Sequence, residues 1–326
     1  MTLTQTKTDF LRTSQSQQRT LLRCPKRYEY HYVRRIRPQT DDNRFLFGRA
    51  VHKFLEVYYG MQIDNKYTKD EAFKHAYKAF HDYTQQHFPD SDEAHEQAEL
   101  AEGVIDHYIQ WALDNDNFNV LGVEIPFELP LGDTVFVGHF DAIIEINGKY
   151  WIMEHKTANQ MTTRHTLWDK QVTAYIMAAK EHGIPVEGVI YNTLKKAVPE
   201  KPRVLKSGKL SKSLNQNITF NSYMEAIHDL GHDPSAYQDV LDKLETRENT
   251  FFSREYVTRT ETSLEEVKKD IVKTEIIKAS LIELNLFPRN ETRDCHWDCP
   301  FFDLCLAELE GHDTTELFQD KYKIAK

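Results

Sequence analysis

A chain of 326 residues with 40% hydrophobic content carries enough apolar material for a sizeable core, in one large domain or two intimate ones. No stretch approaches the ~20 consecutive apolar residues of a membrane span, and the polar start MTLTQTKTDFLRTSQSQQRT lacks the apolar run of a secretory leader, so a cytoplasmic location is expected. The formal charge of −10 excludes a uniformly basic protein, yet Arg19, Arg23, Lys26, Arg27, Arg34, Arg35 and Arg37 crowd one stretch, and Lys195, Lys196, Lys201, Arg203, Lys206, Lys209 and Lys212 another. Each is either a polyanion-binding surface or a solvated face.

After a helical start, Phe47, Val51, Phe54, Leu55 and Tyr58 fall at helical spacing and predict a helix over about 46–59. Phe73, Ala76, Tyr77, Phe80 and Tyr83 repeat the pattern over about 68–87, and a third helix is expected over 92–114. The period then changes. VLGVEIPFEL, TVFVGHFDAIIEI and KYWIMEHKT have the β-branched and aromatic content of strands, the last two joined by a hairpin turn at Asn147-Gly148. Helical spacing returns at Leu167, Val172, Tyr175, Ile176 and Ala179, stops near Gly183 and Pro185, and is followed by a strand, VEGVIYNTL. A basic loop, helices near 222–230 and 234–247, a strand in FFSREYVTRT and a long helix over about 262–285 complete the series. From Phe287 an irregular segment holds three cysteines and closes with a short helix before a charged tail.

The chemistry concentrates at the hairpin. Residues two apart on a strand share a face, so Glu154 and Lys156 project together, and the Asn-Gly turn allows a register that sets Asp141 beside them. Two neighbouring carboxylates repel unless a divalent cation intervenes. Their hard oxygens suit Mg²⁺ or Mn²⁺, and a lysine at this point can orient an attacking water or stabilise charge growing on a phosphate. Such a triplet on an exposed strand is common. Here it ends the apolar run WIM, where a buried charge needs a reason. His139 and His155 flank the ligands, and His155, adjacent in the strand to both Glu154 and Lys156, points on an alternating strand to the opposite face; Glu124 is a reserve carboxylate.

With Gly48-Arg-Ala-Val-His52, Gly138-His-Phe-Asp141, Glu154-His-Lys156 and Gln171-Val-Thr-Ala-Tyr175 in this order, the chain resembles the PD-(D/E)XK nuclease superfamily, within it the RecB-like exonuclease branch. The resemblance implies that His52, Asp141, Glu154 and the backbone carbonyl of His155 ligate metal and that Lys156 is the catalytic lysine. It also implies that Gln171 and Tyr175, one helical turn apart, serve DNA or the active site, although a tyrosine at that spacing can equally be core. The expected fold is α/β, a restriction-endonuclease-like core in which helices flank a mixed central sheet, with helical N- and C-terminal parts joined at a cysteine-ligated cluster. The expected parts are 1–45, 46–260 and 261–326, forming one integrated unit.

Cys24, Cys295, Cys299 and Cys305 are all the cysteines present. In a cytoplasmic chain a lone cysteine plus a compact triplet is less natural for zinc, whose sites pair two knuckles, than for a [4Fe–4S] cluster. A subset of the RecB-like branch looks similar, and so does the context of Cys24 in CPKRYEYHYV, although C-x3-C-x5-C is one residue longer than the usual triplet. Closing so long a loop is worth about 5 kcal/mol in the cross-link model. Tyr28, Tyr30 and Tyr32 alternate with basic residues and could stack on bases or simply pack. Ser207-Gly-Lys-Leu is not a phosphate-binding loop, so no ATP motor is expected, and a separate helicase or recombination protein could be a partner. The function expected is metal-dependent hydrolysis of DNA, by an exonuclease on single strands or DNA ends; a non-catalytic DNA-binding scaffold and a structure-specific endonuclease are the competing readings.

Overall fold

The structure, a computed structural model, describes residues 12–40, 43–161, 164–247 and 249–325. Residues 1–11, the first part of the expected N-terminal segment, lie outside the described residues. The described chain opens with β1 (Arg12–Thr13) and α1 (Gln15–Arg23), whose Ser14 cap accepts from the Gln17 N–H. Then come α2 (Pro25–Tyr28), which runs on into a π-helical turn over Glu29–Val33, and β2 (Ile36–Pro38). The three expected helices follow as α3 (Leu46–Gly60), α4 (Lys69–His87) and α5 (Asp92–Asn115). Thr68 and Glu71 form a reciprocal capping box at the start of α4, and Ser91 caps α5.

Next are β3 (Asn119–Leu131), β4 (Thr134–Ile146), β5 (Lys149–Ala158), α6 (Lys170–Glu181) and β6 (Val186–Lys195). After the basic loop come α7 (Phe220–Asp229), α8 (Gln238–Thr246), β7 (Phe252–Val257) and α9 (Glu261–Glu283). The cysteine-bearing end forms α10 (Cys295–Asp298), α11 (Phe302–Glu310), α12 (Thr315–Lys321) and β8 (Tyr322–Ile324). Helix α6 starts later than its spacing suggests: Asp169 caps it by accepting from the Gln171 N–H, which leaves Leu167 in a preceding 3-10 turn and exposed. No helix among the described residues is long and apolar enough to cross a membrane.

The central sheet is mixed. β3, β4 and β5 pair antiparallel in sequence, β6 lies parallel to β5, β7 runs antiparallel to β6, and β1 adds parallel to the start of β4. Asn147 and Gly148 both have positive φ, the conformation that a two-residue hairpin turn requires. Helices α3, α4 and α5 cover one face, where Phe47, Val51, Phe54 and Tyr58 bury against Ala142, Ile144 and Met153. Helices α6 and α9 cover the other, where Val172 and Ile176 meet Ile143, Ile152 and Val189. Each such large side chain stabilises the fold by ~1.5–3 kcal/mol through apolar area removed from water.

The two ends of the chain are joined by more than helices. β2 pairs antiparallel with β8, and Tyr30, Ile36, Phe301, Leu304 and Tyr322 share a small core there. Tyr28 and Tyr30 are buried, so these two tyrosines are packing residues, and the Tyr30 hydroxyl donates to Glu308 at 2.7 Å. The N-terminal cations are used in the same way: Lys26 and Arg34 pair with Glu308, and Arg23 and Arg27 with Asp298. In the second basic stretch Lys201 pairs with Glu225 and Asp229, and Lys212 with Asp239. At least four of the seven cations in the first stretch and two of the seven in the second are therefore compensated by local acids.

Candidate active site

The backbone ladder between β4 and β5 runs from Ile146↔Lys149 to Ala142↔Met153 and stops there, one residue short of Asp141 and Glu154. Beyond that rung the Asp141 side chain takes over. Its Oδ2 accepts the His155 backbone N–H at 2.8 Å. Because a strand residue directs its N–H and C=O to the same edge, the His155 carbonyl also faces this gap, where it meets the His52 ring. His52, from α3, brings Nδ1 within 3.8 Å of Asp141 Oδ2. The end of the ladder thus lets groups from both faces of the sheet converge.

Glu154 is almost fully buried. Its Oε1 accepts from Lys156 Nζ at 2.6 Å and from Gln171 Nε2 at 3.0 Å, while Oε2 has no hydrogen-bond partner. Gln171 also donates to the Tyr175 hydroxyl at 2.7 Å and accepts from Lys156 at 3.4 Å. Tyr175 proves to be both core and site, with its ring edge-on to Phe127 and Phe140 and its hydroxyl tied to Gln171. Burial, reinforced by Asp141, pushes the Glu154 carboxyl up to about 7; burial pushes Asp141 up to about 6. Desolvation lowers the pKa of His52, which keeps the ring neutral and its nitrogen lone pair available.

Gly48 sets the approach of α3 to this gap, since a Cβ there would lie 3.2 Å from Thr157 Oγ1 at the end of β5. His155 turns its ring to the α3/α5 face, as alternation predicts, and is held in a polar network that the sequence reading did not find. The ring stacks on Tyr59 with centroids 5.5 Å apart, and Nδ1 lies 3.0 Å from Asn192 Nδ2. Asn192 donates to Tyr108, whose hydroxyl meets that of Tyr59 at 2.6 Å; Arg254 reaches both hydroxyls and pairs with buried Asp116. The one available signal was an asparagine inside the apolar run VIYNTL. His139 is exposed, and Glu124 stands near His52, Glu56 and Asp141.

Among the described residues, no group of three or more His, Cys, Asp or Glu side chains is arranged to hold a metal as it stands. The donor chemistry nevertheless fits a hard divalent cation: two carboxylates, a neutral imidazole and a carbonyl converge, with an unpartnered buried oxygen on Glu154. The four cysteines, each half-buried and free, line a single cavity of about 320 Å³ with Tyr30, Phe302 and Leu306. Burial raises the Cys299 pKa, and neighbouring Cys24 and Cys295 add to it. Four thiols around one apolar cavity suit a thiolate-ligated group.

A mixed sheet between helices, with paired carboxylates and a lysine where two strands part, defines a restriction-endonuclease-like α/β protein. The sequence matches the PD-(D/E)XK nuclease superfamily over residues 12–306, and the chain belongs to that superfamily. Membership indicates a metal-dependent nuclease, a hydrolase acting on DNA. The chain is also similar to the crystal structure of SSO0001, at 15% identity and a TM-score of 0.33, covering 91% of this chain and 86% of that one; so loose a likeness carries no argument. No curated protein matches.

Proposed function

We propose that the protein is a metal-dependent exonuclease of the RecB-like branch, acting on single-stranded DNA or DNA ends in replication, recombination or repair. The observation that carries this reading is Glu154, a buried carboxylate with one oxygen held by Lys156 and Gln171 and the other without a partner. His52, Asp141, Glu154 and the His155 carbonyl would hold Mg²⁺ or Mn²⁺, which when bound neutralises the carboxylate pair and polarises a phosphate oxygen. Lys156 orients the attacking water and stabilises charge growing on the scissile phosphate. Gln171 fixes Glu154 and Lys156 relative to each other, and Tyr175 braces Gln171 from the core.

Cys24, Cys295, Cys299 and Cys305 would hold a [4Fe–4S] cluster that ties the N- and C-terminal parts to the nuclease core as one unit. The order of the four motifs supports the RecB-like assignment. The test is protein purified without oxygen and incubated with linear and circular single strands in Mg²⁺, in Mn²⁺ and in EDTA. Metal-dependent loss of linear strands with circles spared is expected, from a brown sample. Cutting of circles makes it an endonuclease, and a colourless zinc-containing sample replaces the cluster.

A further inference from the structure

The segment that joins α9 to α10 is stapled across the turn that carries Cys24. The Pro288 carbonyl accepts from the Lys26 N–H at 3.2 Å, and Asn290 Nδ2 donates to the Arg23 carbonyl at 2.6 Å. Arg289 lies between these two bonds. Its backbone is thereby held beside the Cys24 turn, and it lines the cavity of about 320 Å³ that the four cysteines share. There its guanidinium donates to the sulfur of Cys305, on α11. One residue thus joins the Cys24 turn, the linker before Cys295 and the helix of Cys305.

The remainder of that guanidinium is not satisfied. Arg289 Nε is buried and has no hydrogen-bond partner among the described residues, and the same is true of Nη1 of Arg27, which lines the same cavity. Arg27 has Asp298 at 3.6 Å. Glu308, whose charge bears on Arg289, is already engaged by Lys26, Arg34 and Tyr30. A buried N–H without an acceptor is destabilising, so the cavity suits an occupant that accepts. Neutral thiols are weak acceptors, whereas thiolates carry full negative charge. Four thiolates outweigh the charge of Zn²⁺ and of a [4Fe–4S]²⁺ core alike, so either group would be an anion beside Arg289.

We propose that Arg289 is the counter-charge and sulfur hydrogen-bond donor of the group held by the four cysteines, a positioning residue that fixes Cys305 as a ligand and favours the group's more negative state. The proposal rests on the cysteine reading above and deepens it. An N–H donated to a ligating sulfur draws charge off that sulfur, so when a [4Fe–4S]²⁺ core accepts one electron the added charge is partly met by the guanidinium. Without Arg289 the same electron enters a less favourable field.

The experiment uses the full chain, purified without oxygen, as wild type, Arg289→Leu, Arg289→Lys and Asn290→Ala, the last cutting a staple without touching the guanidinium. Iron, acid-labile sulfide and zinc are counted per chain, and release of metal to EDTA is timed. Brown samples are titrated with dithionite and redox mediators while their visible absorption is followed. Arg289→Leu is expected to release metal at least about tenfold faster. Its equilibrium constant for one-electron reduction should fall about tenfold. Arg289→Lys, which keeps the charge, should recover most of that loss, and Asn290→Ala should reduce as wild type does, a split that a purely structural role would not produce. A leucine variant that comes out empty supports the proposal where the lysine variant stays loaded, and overturns it where both are empty. Wild-type release and reduction in Arg289→Leu overturn it, and so does an equal shift in Asn290→Ala. A colourless wild type holding zinc overturns the cluster reading alone, and metal release then decides on Arg289. A wild type that binds neither metal overturns both.

Discussion

Replacing Asn192 with leucine should separate the support of His155 from the stability of the fold. Asn192 is fully buried between Tyr108, to which it donates at 2.8 Å, and the His155 ring, 3.0 Å from its Nδ2, while its Oδ1 has no partner. Asn192→Leu removes two hydrogen bonds worth about 1 kcal/mol each. It also removes an orphaned acceptor that costs about 1–3 kcal/mol. Tyr108 keeps Tyr59 and Arg254, whereas the buried His155 Nδ1 loses its bond to Asn192, a cost of about 1–3 kcal/mol that offsets the orphaned acceptor removed. Unfolding in urea should therefore shift by no more than about 2 kcal/mol, with the slope unchanged. Function should suffer more, because His155 carries the carbonyl and N–H that face Asp141. Losing the ring's anchor should weaken Mn²⁺ binding about 10- to 100-fold, the usual cost of a lost supporting hydrogen bond behind a metal site. The assay is a Mn²⁺ titration of cleavage beside the urea curve. Unchanged Mn²⁺ dependence, or a stability loss well beyond 3 kcal/mol, would refute the reasoning.

In metal-free protein, stability should fall as pH rises from the ordinary carboxylate range to about 7. Glu154 and Asp141 bind their protons more tightly folded than unfolded, so their contribution is full below that range and is lost through their folded pKa values of about 7 and about 6. Added Mn²⁺ should abolish that fall, and thermal unfolding against pH with and without the ion checks it. Gly48→Ala should leave unfolding within about 1 kcal/mol, since helix propensity offsets the tight contact with Thr157 Oγ1. Activity should drop as His52 is pushed away from Asp141, which the Mn²⁺ titration also reads. Cys299→Ala should bleach the visible spectrum and lower the melting temperature by less than the ~5 kcal/mol cross-link value implies, because β2–β8 pairing and the Tyr30–Glu308 bond also join the ends. A variant that stays brown and equally stable would remove the cluster's structural role.

Elements with a strong period were legible from sequence: α3 through its apolar stripe, β4 and β5 through alternation and the Asn-Gly turn. The pairing of β2 with β8 was not, because two three-residue strands 280-odd positions apart carry no local pattern. The same holds for ion pairs such as Arg34–Glu308, which turn an apparently basic segment into a clasp. At the site, Asp141, Glu154 and Lys156 followed from strand geometry. The resemblance supplied His52, and Gln171 acquired a physical rationale only from its bonds to Glu154 and Lys156. The network behind His155 draws Tyr59, Tyr108, Asn192 and Arg254 from four elements, and no single segment reveals it.

The central claim is that phosphodiester hydrolysis runs on Asp141, Glu154 and Lys156 with a divalent cation. Single-turnover cleavage of an end-labelled single strand, by wild type and Lys156→Ala in Mn²⁺ and in EDTA, tests it most directly. Cleavage by wild type that EDTA abolishes, and a loss of at least a hundredfold in Lys156→Ala with Mn²⁺ binding retained, is the expected result. Cutting that survives EDTA, or proceeds at the wild-type rate without Lys156, would contradict it.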